Sequence, residues 1–253
     1  PVFTQWIHRC EQALTPYVDW SLTDILRDPD APLHRVDVVQ PALWAVMVSL
    51  AHTWRELGIH PDAVIGHSQG EIAAATVADI LTLDDAARIV ALRSQIIAHH
   101  LAGQGSMASI ALPATTLHDH LRHHPHITIA AHNGPTTTVI AGPTQPLETL
   151  LTHLEQQGTR VRRIPVDYAS HTPDVETIQT QLHTALSPIT PRNSTITFHS
   201  TVTGTPLNGT ELTADYWYRN LRNPVLFHPT TQTLITTHHT TFIEPSPHPV
   251  LVA

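Results

Sequence analysis

Residues 63–74 of this 253-residue chain, AVIGHSQGEIAA, are the most informative segment about its fold. Residues 63–65 are a short apolar run between Pro61 and Gly66, a pattern that predicts a buried strand. The alanine-rich residues 71–80 predict a helix that starts almost at once. A strand, a sharp turn and a helix in this order indicate an α/β layer structure.

The turn itself contains the pattern G-x-S-x-G, written here Gly66-His67-Ser68-Gln69-Gly70. Between a strand and a helix this pattern marks a nucleophilic serine. We expect a glycine on each side of the serine because the turn leaves no room for β-carbons. The turn would expose the Ser68 hydroxyl at the helix N-terminus, where the Gln69 backbone N–H can stabilise an oxyanion. The alternative is a purely structural turn.

Further elements are predicted on both sides of this unit. Helices are expected from about residue 3, at residues 37–57, 84–100 and 175–186, and a strand at 196–200.

Residues 105–165 follow a different pattern and predict a small inserted domain. The predicted order is strand 107–112, helix 115–123, strand 127–131, strand 137–141, helix 145–156 and strand 160–164. This β-α-β-β-α-β order is that of the ferredoxin-like split arrangement.

A serine nucleophile needs a base, which is most often histidine, and this chain has 21 histidines. Spacing alone does not single one out. His171 is the best placed, because it follows the last predicted strand of the inserted domain, where the chain should return to the main sheet. The other histidines remain open as candidates.

The predicted helix at 84–100 carries an arginine inside its apolar stripe. Arg93 lies on the face marked by Ala86, Val90 and Ile97. A buried arginine is costly unless an anion pairs with it. Two interpretations stay open at this point: a structural ion pair with an internal carboxylate, or a guanidinium fork that takes a substrate carboxylate in two parallel hydrogen bonds.

The composition excludes several classes of function. Hydrophobic residues at 41% and charged residues at 13% fit a globular protein. All 13 basic residues are arginines, which excludes a Schiff-base lysine and a lysine-dependent phosphate loop. A formal charge of −8 argues against nucleic-acid binding. The single cysteine, Cys10, excludes an internal disulfide and a cysteine-built zinc site, and we expect it to be a packing residue.

Neither a membrane span of about 18 apolar residues nor a secretory leader is visible, so we expect a cytoplasmic protein without a membrane partner. A histidine-rich segment at 118–126 invites a metal interpretation, but no carboxylate pair or cysteine completes a ligand set there. We interpret that segment and the pair His238-His239 as solvated surface, and we expect no metal.

Motifs along the whole chain resemble polyketide synthase acyltransferases, relatives of bacterial malonyl-CoA:acyl carrier protein transacylase. The stretch GHSQGEIAAA at 66–75 is similar to their active-site motif. The resemblance extends over RVDVVQPALWAVMVSL at 35–50, ALRSQ at 91–95, NGP at 133–135, VDYASH at 166–171, STVTG at 200–204, YWYRNLRNPV at 216–225 and EPSPHPVL at 244–251.

This resemblance implies a role for several residues. Ser68 would be the nucleophile that forms an acyl-enzyme, and His171 its base and later the acid that protonates the leaving thiolate. The pair would act as a dyad, with backbone carbonyls orienting the imidazole. Arg93 would bind the free carboxylate of the extender unit, and the Gln69 backbone amide would be one oxyanion donor.

The resemblance also implies the extender unit. Tyr168-Ala169-Ser170-His171 is similar to the methylmalonyl-CoA type, whereas His-Ala-Phe-His marks the malonyl type; Gln69 and the stretch at 35–40 agree with the former. Ser170 in place of a phenylalanine leaves room for an α-methyl branch. Because one methyl contributes only about 1–3 kcal/mol, leakage to malonyl or ethylmalonyl units is expected. Tyr168, Ser170 and His67 are accordingly expected at the substrate.

The implied fold is an α/β-hydrolase-like large subdomain, residues 1–104 and 166–253, with the ferredoxin-like small subdomain at 105–165. The implied reaction is ping-pong transfer from a coenzyme A thioester to the phosphopantetheine of an acyl carrier protein, beside neighbouring polyketide synthase domains. No bound cofactor is expected. Two other classes remain: a serine esterase or thioesterase, which would have no use for Arg93, and a non-catalytic docking domain.

One departure concerns the start of the chain. Related sequences carry a strand and a Gly-Gln-Gly segment ahead of the region that matches Phe3, and that glutamine helps to form the oxyanion hole. The sequence begins at Pro1 without them, as a segment of something larger would. One oxyanion donor contributes about 10²–10³ in rate, so we expect this chain by itself to be weak in activity or stability.

Overall fold

The computed structural model describes residues 1–251, which form two separate sheets surrounded by helices. The helices are α1 (Val2–Leu14), α2 (Leu22–Arg27), α3 (Val36–Glu56), α4 (Gly70–Val77), α5 (Leu83–His100), α6 (Ala114–Leu121), α7 (Thr144–Gln156), α8 (Gln179–Leu186), α9 (Ala214–Arg222) and α10 (Phe227–Thr236). The strands are β1 (Ala63–Ile65), β2 (Gly105–Ile110), β3 (Thr128–Gly134), β4 (Thr137–Pro143), β5 (Val161–Ile164), β6 (Thr197–His199) and β7 (Pro206–Leu207).

The first sheet has the order β1-β6-β7 and carries the serine turn. β1 pairs with β6 in parallel, with Ile65 opposite His199, and β7 closes the edge antiparallel to β6. The main core surrounds this sheet and includes the fully buried Trp44, Trp217 and Phe198. The turn at Ser68 therefore lies at the end of a strand in a packed α/β layer, as the sequence predicts.

Helix α3 is a core helix of this layer. Pro41 lies in its first turn, and Trp44 is fully buried and donates a hydrogen bond from Nε1 to Thr76 Oγ1 of α4 at 3.1 Å. By length and composition alone, α3 is the one helix in the described part of the chain that could cross a membrane. Half of its apolar window (50%) is buried inside the protein, and it packs against α1 and α5, which accounts for its apolar sequence.

The second sheet confirms the predicted insertion. Its order is β3-β4-β2-β5 with every neighbouring pair antiparallel, which is the split β-α-β-β-α-β arrangement. Helices α6 and α7 cover one face through buried leucines such as Leu117, Leu147 and Leu151. The sheet runs from Gly105 to Ile164, while the domain division at 104/105 and 165/166 stays a prediction.

One predicted helix needs correction. The single helix expected at 175–186 is a 3₁₀ helix, Pro173–Ile178, followed by α8. Val175 and Ile178 are three residues apart and both buried, a spacing that a 3₁₀ turn places on one face. Beyond β7 the chain contains two further helices, α9 and α10.

Cys10 is fully buried in the main core, which confirms it as a packing residue. The histidines of the segment 118–126 lie on α6 and the following turn, mostly on the surface. Among residues 1–251, no group of three or more histidine, cysteine, aspartate or glutamate residues is arranged to hold a metal ion.

Candidate active site

Ser68 lies in a tight turn between the end of β1 and the start of α4. Its backbone is left-handed, with φ of 53°. A β-carbon at Gly66 would lie 2.3 Å from the Glu71 nitrogen, so only glycine fits there. A β-carbon at Gly70 would meet nothing within 4 Å. The expectation of two sterically required glycines is thus correct for Gly66 and wrong for Gly70, because the helix has already begun at Gly70 and its β-carbon would point into open space.

The structure brings Ser68 and His171 together, although 103 positions separate them. Ser68 Oγ lies 2.9 Å from His171 Nε2. His171 Nδ1 lies 2.7 Å from the Asn223 carbonyl oxygen, which can only accept, so Nδ1 carries the proton. Nε2 is then free to accept from the Ser68 hydroxyl. This is the geometry that a serine–histidine dyad requires, with a backbone carbonyl orienting the imidazole.

Burial keeps His171 neutral. The side chain is 3% exposed, and burial lowers its pKa to about 3. The hydrogen bond to the Asn223 carbonyl opposes this decrease, while the charges of Arg93 and His67 add to it. At neutral pH the imidazole is therefore an unprotonated base that is ready to receive the Ser68 proton.

Arg93 lies on α5 and is 1% exposed. Its Nε and Nη1 have no hydrogen-bond partner in the described part of the chain, and no carboxylate of residues 1–251 forms an ion pair with it. Burial lowers its pKa to about 10, with Tyr168 and Glu71 opposing the decrease, so the guanidinium stays cationic at neutral pH. Within residues 1–251 the structural ion pair considered from sequence is therefore absent: Glu71 acts on the guanidinium only at a distance, and no carboxylate contacts it directly.

The segment before His171 contacts two other elements. Tyr168 OH accepts a hydrogen bond from Gln40 Nε2 of α3 at 3.1 Å, and both side chains are buried. Burial raises the pKa of Tyr168 while the charge of Arg93 opposes this increase, so the phenol stays neutral next to the guanidinium. Ser170 Oγ lies 3.3 Å from Met107 Sδ of β2. The four-residue stretch 168–171 therefore connects the Arg93 region to the small sheet.

His67 and Gln69 flank the serine. His67 Nε2 lies 2.8 Å from Asn133 Oδ1 of β3, and burial lowers the pKa of His67. The Gln69 N–H donates to no acceptor among residues 1–251. It lies at the N-cap of α4, where helix N–H groups face an incoming anion. A free backbone donor next to Ser68 is what an oxyanion hole requires.

A cavity of about 420 Å³ reaches His171 from the side of α6 and the end of α9. Its lining includes Arg122, Thr128, Arg222 and Pro224. His171 is the one candidate site residue that lines this cavity, whereas Ser68, Gln69 and Arg93 do not border it.

Three residues next to the dyad have no role predicted from the sequence: Glu71, Asn133 and Asn220. Glu71 is 0% exposed although it is a glutamate in an alanine-rich apolar helix. That mismatch is the one signal that points to a buried polar network from sequence. Asn133 and Asn220 carry no comparable signal, because asparagine is common in turns and at helix ends.

Comparisons with known proteins assign the chain to a family. The family model described as "Acyl transferase domain" matches residues 1–253. Over 254 residues the chain is 54% identical to polyketide synthase GfsA of Streptomyces halstedii, and the match covers 99% of this chain and 3% of that protein. The chain thus corresponds to a small part of a much longer relative.

Solved structures agree in fold. The acyltransferase domain from module 8 of the salinomycin polyketide synthase superposes with a TM-score of 0.96 at 51% identity, over 99% of this chain and 60% of that one. A loading acyltransferase from the avermectin modular polyketide synthase gives 0.96 at 47% identity, over 99% and 80%. These matches confirm the predicted fold class. The chain belongs to the acyl transferase domain family and is an acyltransferase.

Proposed function

We propose that this acyltransferase loads an extender unit from coenzyme A onto an acyl carrier protein of a polyketide synthase. The observation that carries the proposal is the 2.9 Å contact between Ser68 Oγ and His171 Nε2, with Nδ1 held by a backbone carbonyl. The relatives support the setting, since GfsA is a polyketide synthase and the salinomycin structure is an acyltransferase domain of one. In this setting the partners are the carrier protein and neighbouring synthase domains, in the cytoplasm.

The chemistry proceeds by two transfers through one covalent intermediate. Ser68 Oγ attacks the thioester carbonyl as His171 Nε2 takes its proton, and the Gln69 N–H donates to the oxyanion. Coenzyme A leaves as a thiol with the proton from His171. The phosphopantetheine thiol of the carrier protein then attacks the acyl-serine ester by the reverse steps. Neither transfer calls for a metal or redox cofactor, so we propose that none is bound.

Arg93 distinguishes this reaction from simple ester hydrolysis. The Arg93 cation is 1% exposed and has two nitrogen donors, Nε and Nη1, without a partner, so an incoming anion would stabilise it. A planar guanidinium takes a carboxylate through two parallel hydrogen bonds. We therefore assign to Arg93 the free carboxylate of a malonyl-type unit. A serine esterase, the second candidate, gains nothing from this residue.

The extender unit we propose is methylmalonyl. Ser170 is small and buried beside Met107, and Tyr168 is held by Gln40, so position 170, directly before His171, carries no aromatic ring. We assign the place that such a ring would take to the α-methyl group. Malonyl and ethylmalonyl units are the alternatives, separated from methylmalonyl by only about 1–3 kcal/mol per methyl group.

The test is a competition among malonyl-, methylmalonyl- and ethylmalonyl-CoA in the full-length polypeptide. Trypsin cuts after Arg55 and Arg88, so residues 56–88 form one peptide that contains Ser68. A persistent methylmalonyl mass on that peptide, discharged by a carrier protein, is the expected result. Rapid hydrolysis without transfer would favour an esterase, and a predominant malonyl or ethylmalonyl mass would overturn the proposed extender unit.

A further inference from the structure

The end of helix α9 contacts both members of the dyad. Asn220 Nδ2 donates to the Ser68 carbonyl oxygen at 3.1 Å. The backbone carbonyl of Leu221 accepts a hydrogen bond from the His171 N–H at 2.8 Å. The backbone carbonyl of Asn223 accepts one from His171 Nδ1 at 2.7 Å. One helix end therefore holds the backbone of the nucleophile and both the backbone and the ring of the base.

The backbone conformations of Ser68 and His171 both need surrounding contacts to maintain them. Ser68 and His171 have φ values of 53° and 62°, in the left-handed region that non-glycine residues rarely occupy. A backbone of this kind persists only where surrounding contacts fix it. The Ser68 carbonyl oxygen accepts two hydrogen bonds. One comes from the Glu71 N–H of α4 at 3.0 Å, and the other comes from the Asn220 amide.

Asn220 is in turn fixed by a buried carboxylate. Its second Nδ2 hydrogen goes to Glu71 Oε2 at 2.8 Å, and Tyr216 OH donates to the same oxygen at 2.7 Å. Glu71 Oε1 accepts from Thr201 N at 2.6 Å and lies 2.9 Å from Thr201 Oγ1. The Ser68 carbonyl only accepts, so the Asn220 amide must present its nitrogen. Burial raises the pKa of Glu71, while the hydrogen bonds from Tyr216, Thr201 and Asn220 oppose this increase, and Glu71 Oε2 accepts from the same nitrogen. The orientation of this amide is thus set from two sides.

We propose that Asn220 and Glu71 are positioning residues for the dyad: Glu71 fixes the Asn220 amide, and Asn220 fixes the Ser68 backbone at the distance from His171 that proton transfer requires. The inference rests on the proposed function of Ser68 and His171. Neither residue touches the reacting atoms. Their effect is on the rate of acylation and leaves substrate binding unchanged.

A buried polar network could also serve stability alone, and one pair of substitutions separates the two roles. Asn220→Ala removes the donor to Ser68. The exchange Glu71→Gln with Asn220→Asp keeps one carboxylate and one amide, so residues 71 and 220 can still bond to each other. In that exchange residue 220 presents an oxygen to the Ser68 carbonyl and cannot donate to it.

The experiment measures Ser68 acylation in the full-length polypeptide with two reagents, methylmalonyl-CoA and a fluorophosphonate that reacts with activated serines. We expect Asn220→Ala to lower the acylation rate constant by about 10- to 100-fold, the order expected for a displaced catalytic group, with KM for methylmalonyl-CoA unchanged. The exchange variant should regain thermal stability and stay equally slow. Thr76→Val, which removes a buried hydroxyl elsewhere on α4, is the matched control and should lose stability at unchanged rate.

Wild-type acylation rates in either the folded Asn220→Ala protein or the exchange variant would overturn the inference. Unfolding of both would assign the network to stability and would also overturn it. Failure of the proposed function looks different, because wild-type protein would then react with the fluorophosphonate at Ser68 but form no acyl-enzyme with methylmalonyl-CoA. In that case the fluorophosphonate rates still decide the role of Asn220.

Discussion

Asn133 Oδ1 of the small sheet lies 2.8 Å from Nε2 of His67, the residue directly before the nucleophile. This contact is one of several between β3 and the segments around the site, since Val225, after α9, also exchanges backbone hydrogen bonds with residues 130 and 132 of β3. The serine turn is therefore positioned by both subdomains. A substitution in the small sheet should therefore change the reactivity of Ser68 even where the substituted residue does not contact Ser68.

Asn133→Ala tests this coupling. The substitution leaves the N–H of the half-buried His67 imidazole without its acceptor, which costs about 1–3 kcal/mol. We expect a slower acylation of Ser68 and a lower melting temperature, measured by peptide mass analysis and calorimetry. Asn193→Ala, at an exposed asparagine, is the control and should change neither. An unaltered acylation rate in Asn133→Ala would show that the contact does not position the turn.

Arg93→Ala should weaken the preference for carboxylated units. Charge-assisted hydrogen bonds contribute about 1.5–3 kcal/mol, so we expect the ratio of kcat/KM for methylmalonyl-CoA over propionyl-CoA to fall by about 10- to 100-fold. Arg88→Ala is a suitable control, because Arg88 lies on the same helix but over the ring of Tyr17 at 5.6 Å. Full retention of the ratio in Arg93→Ala would contradict the assigned role of Arg93.

Ser170→Phe should shift extender choice toward malonyl. The added ring would occupy the space that we assign to the α-methyl group, and one methyl is worth about 10- to 200-fold in discrimination. Competition between methylmalonyl- and malonyl-CoA measures the shift. Ser187→Phe places the same ring on the surface and controls for added hydrophobicity. An unchanged product ratio in Ser170→Phe would mean that another residue sets the choice.

Much of the fold follows from local sequence patterns. The strands of the small sheet are recognisable because short alternating or apolar runs are separated by turns such as the one at 133–135. Helix α9 is harder to predict from sequence, because its buried residues include Tyr216, Tyr218 and Asn220, whose polar atoms disguise the apolar face. That face is buried because other parts of the core pack against it in the folded protein.

The residues of the candidate site also differ in how well the sequence alone predicts them. Ser68 is predicted by its motif, and His171 is singled out only once the resemblance is known, since spacing leaves other histidines open. Asn220 meets Ser68 and Glu71 across 152 and 149 positions of sequence. Contacts over such distances are created by folding, and no local pattern in one sequence encodes them.

The two glycines of the serine turn should respond oppositely to alanine. At Gly66 a β-carbon would overlap the backbone of Glu71, so Gly66→Ala should destabilise the protein by about 3 kcal/mol or more and abolish acylation. At Gly70 the β-carbon meets open space at the start of α4, and alanine is the better helix former by about 1 kcal/mol. Denaturant unfolding compares the two. A Gly70→Ala protein as unstable as Gly66→Ala would contradict the steric argument.

The pKa of His171 leads to a prediction about pH. Unfolded, this histidine titrates near 6.5, whereas burial lowers its folded pKa to about 3. Above pH 6.5 both states are neutral and the full stability is present. As the pH falls from 6.5 toward 3, the unfolded state binds a proton that the folded state does not, so stability decreases by up to about 1.4 kcal/mol per pH unit. His52, His67, His132 and His199 also have lowered pKa values and contribute in the same direction.

Comparison with His171→Gln isolates the contribution of this one imidazole. Glutamine does not titrate, so the free energy of unfolding of the variant, measured in urea, should fall less steeply than that of the wild type between pH 6.5 and 4.5. The same low pKa predicts that Ser68 acylation by the wild type stays constant from pH 8 down to about 5, because the base remains unprotonated throughout. An acylation rate that declines with a midpoint near 6.5 would show that His171 titrates as an ordinary exposed histidine and is not the desolvated base described above.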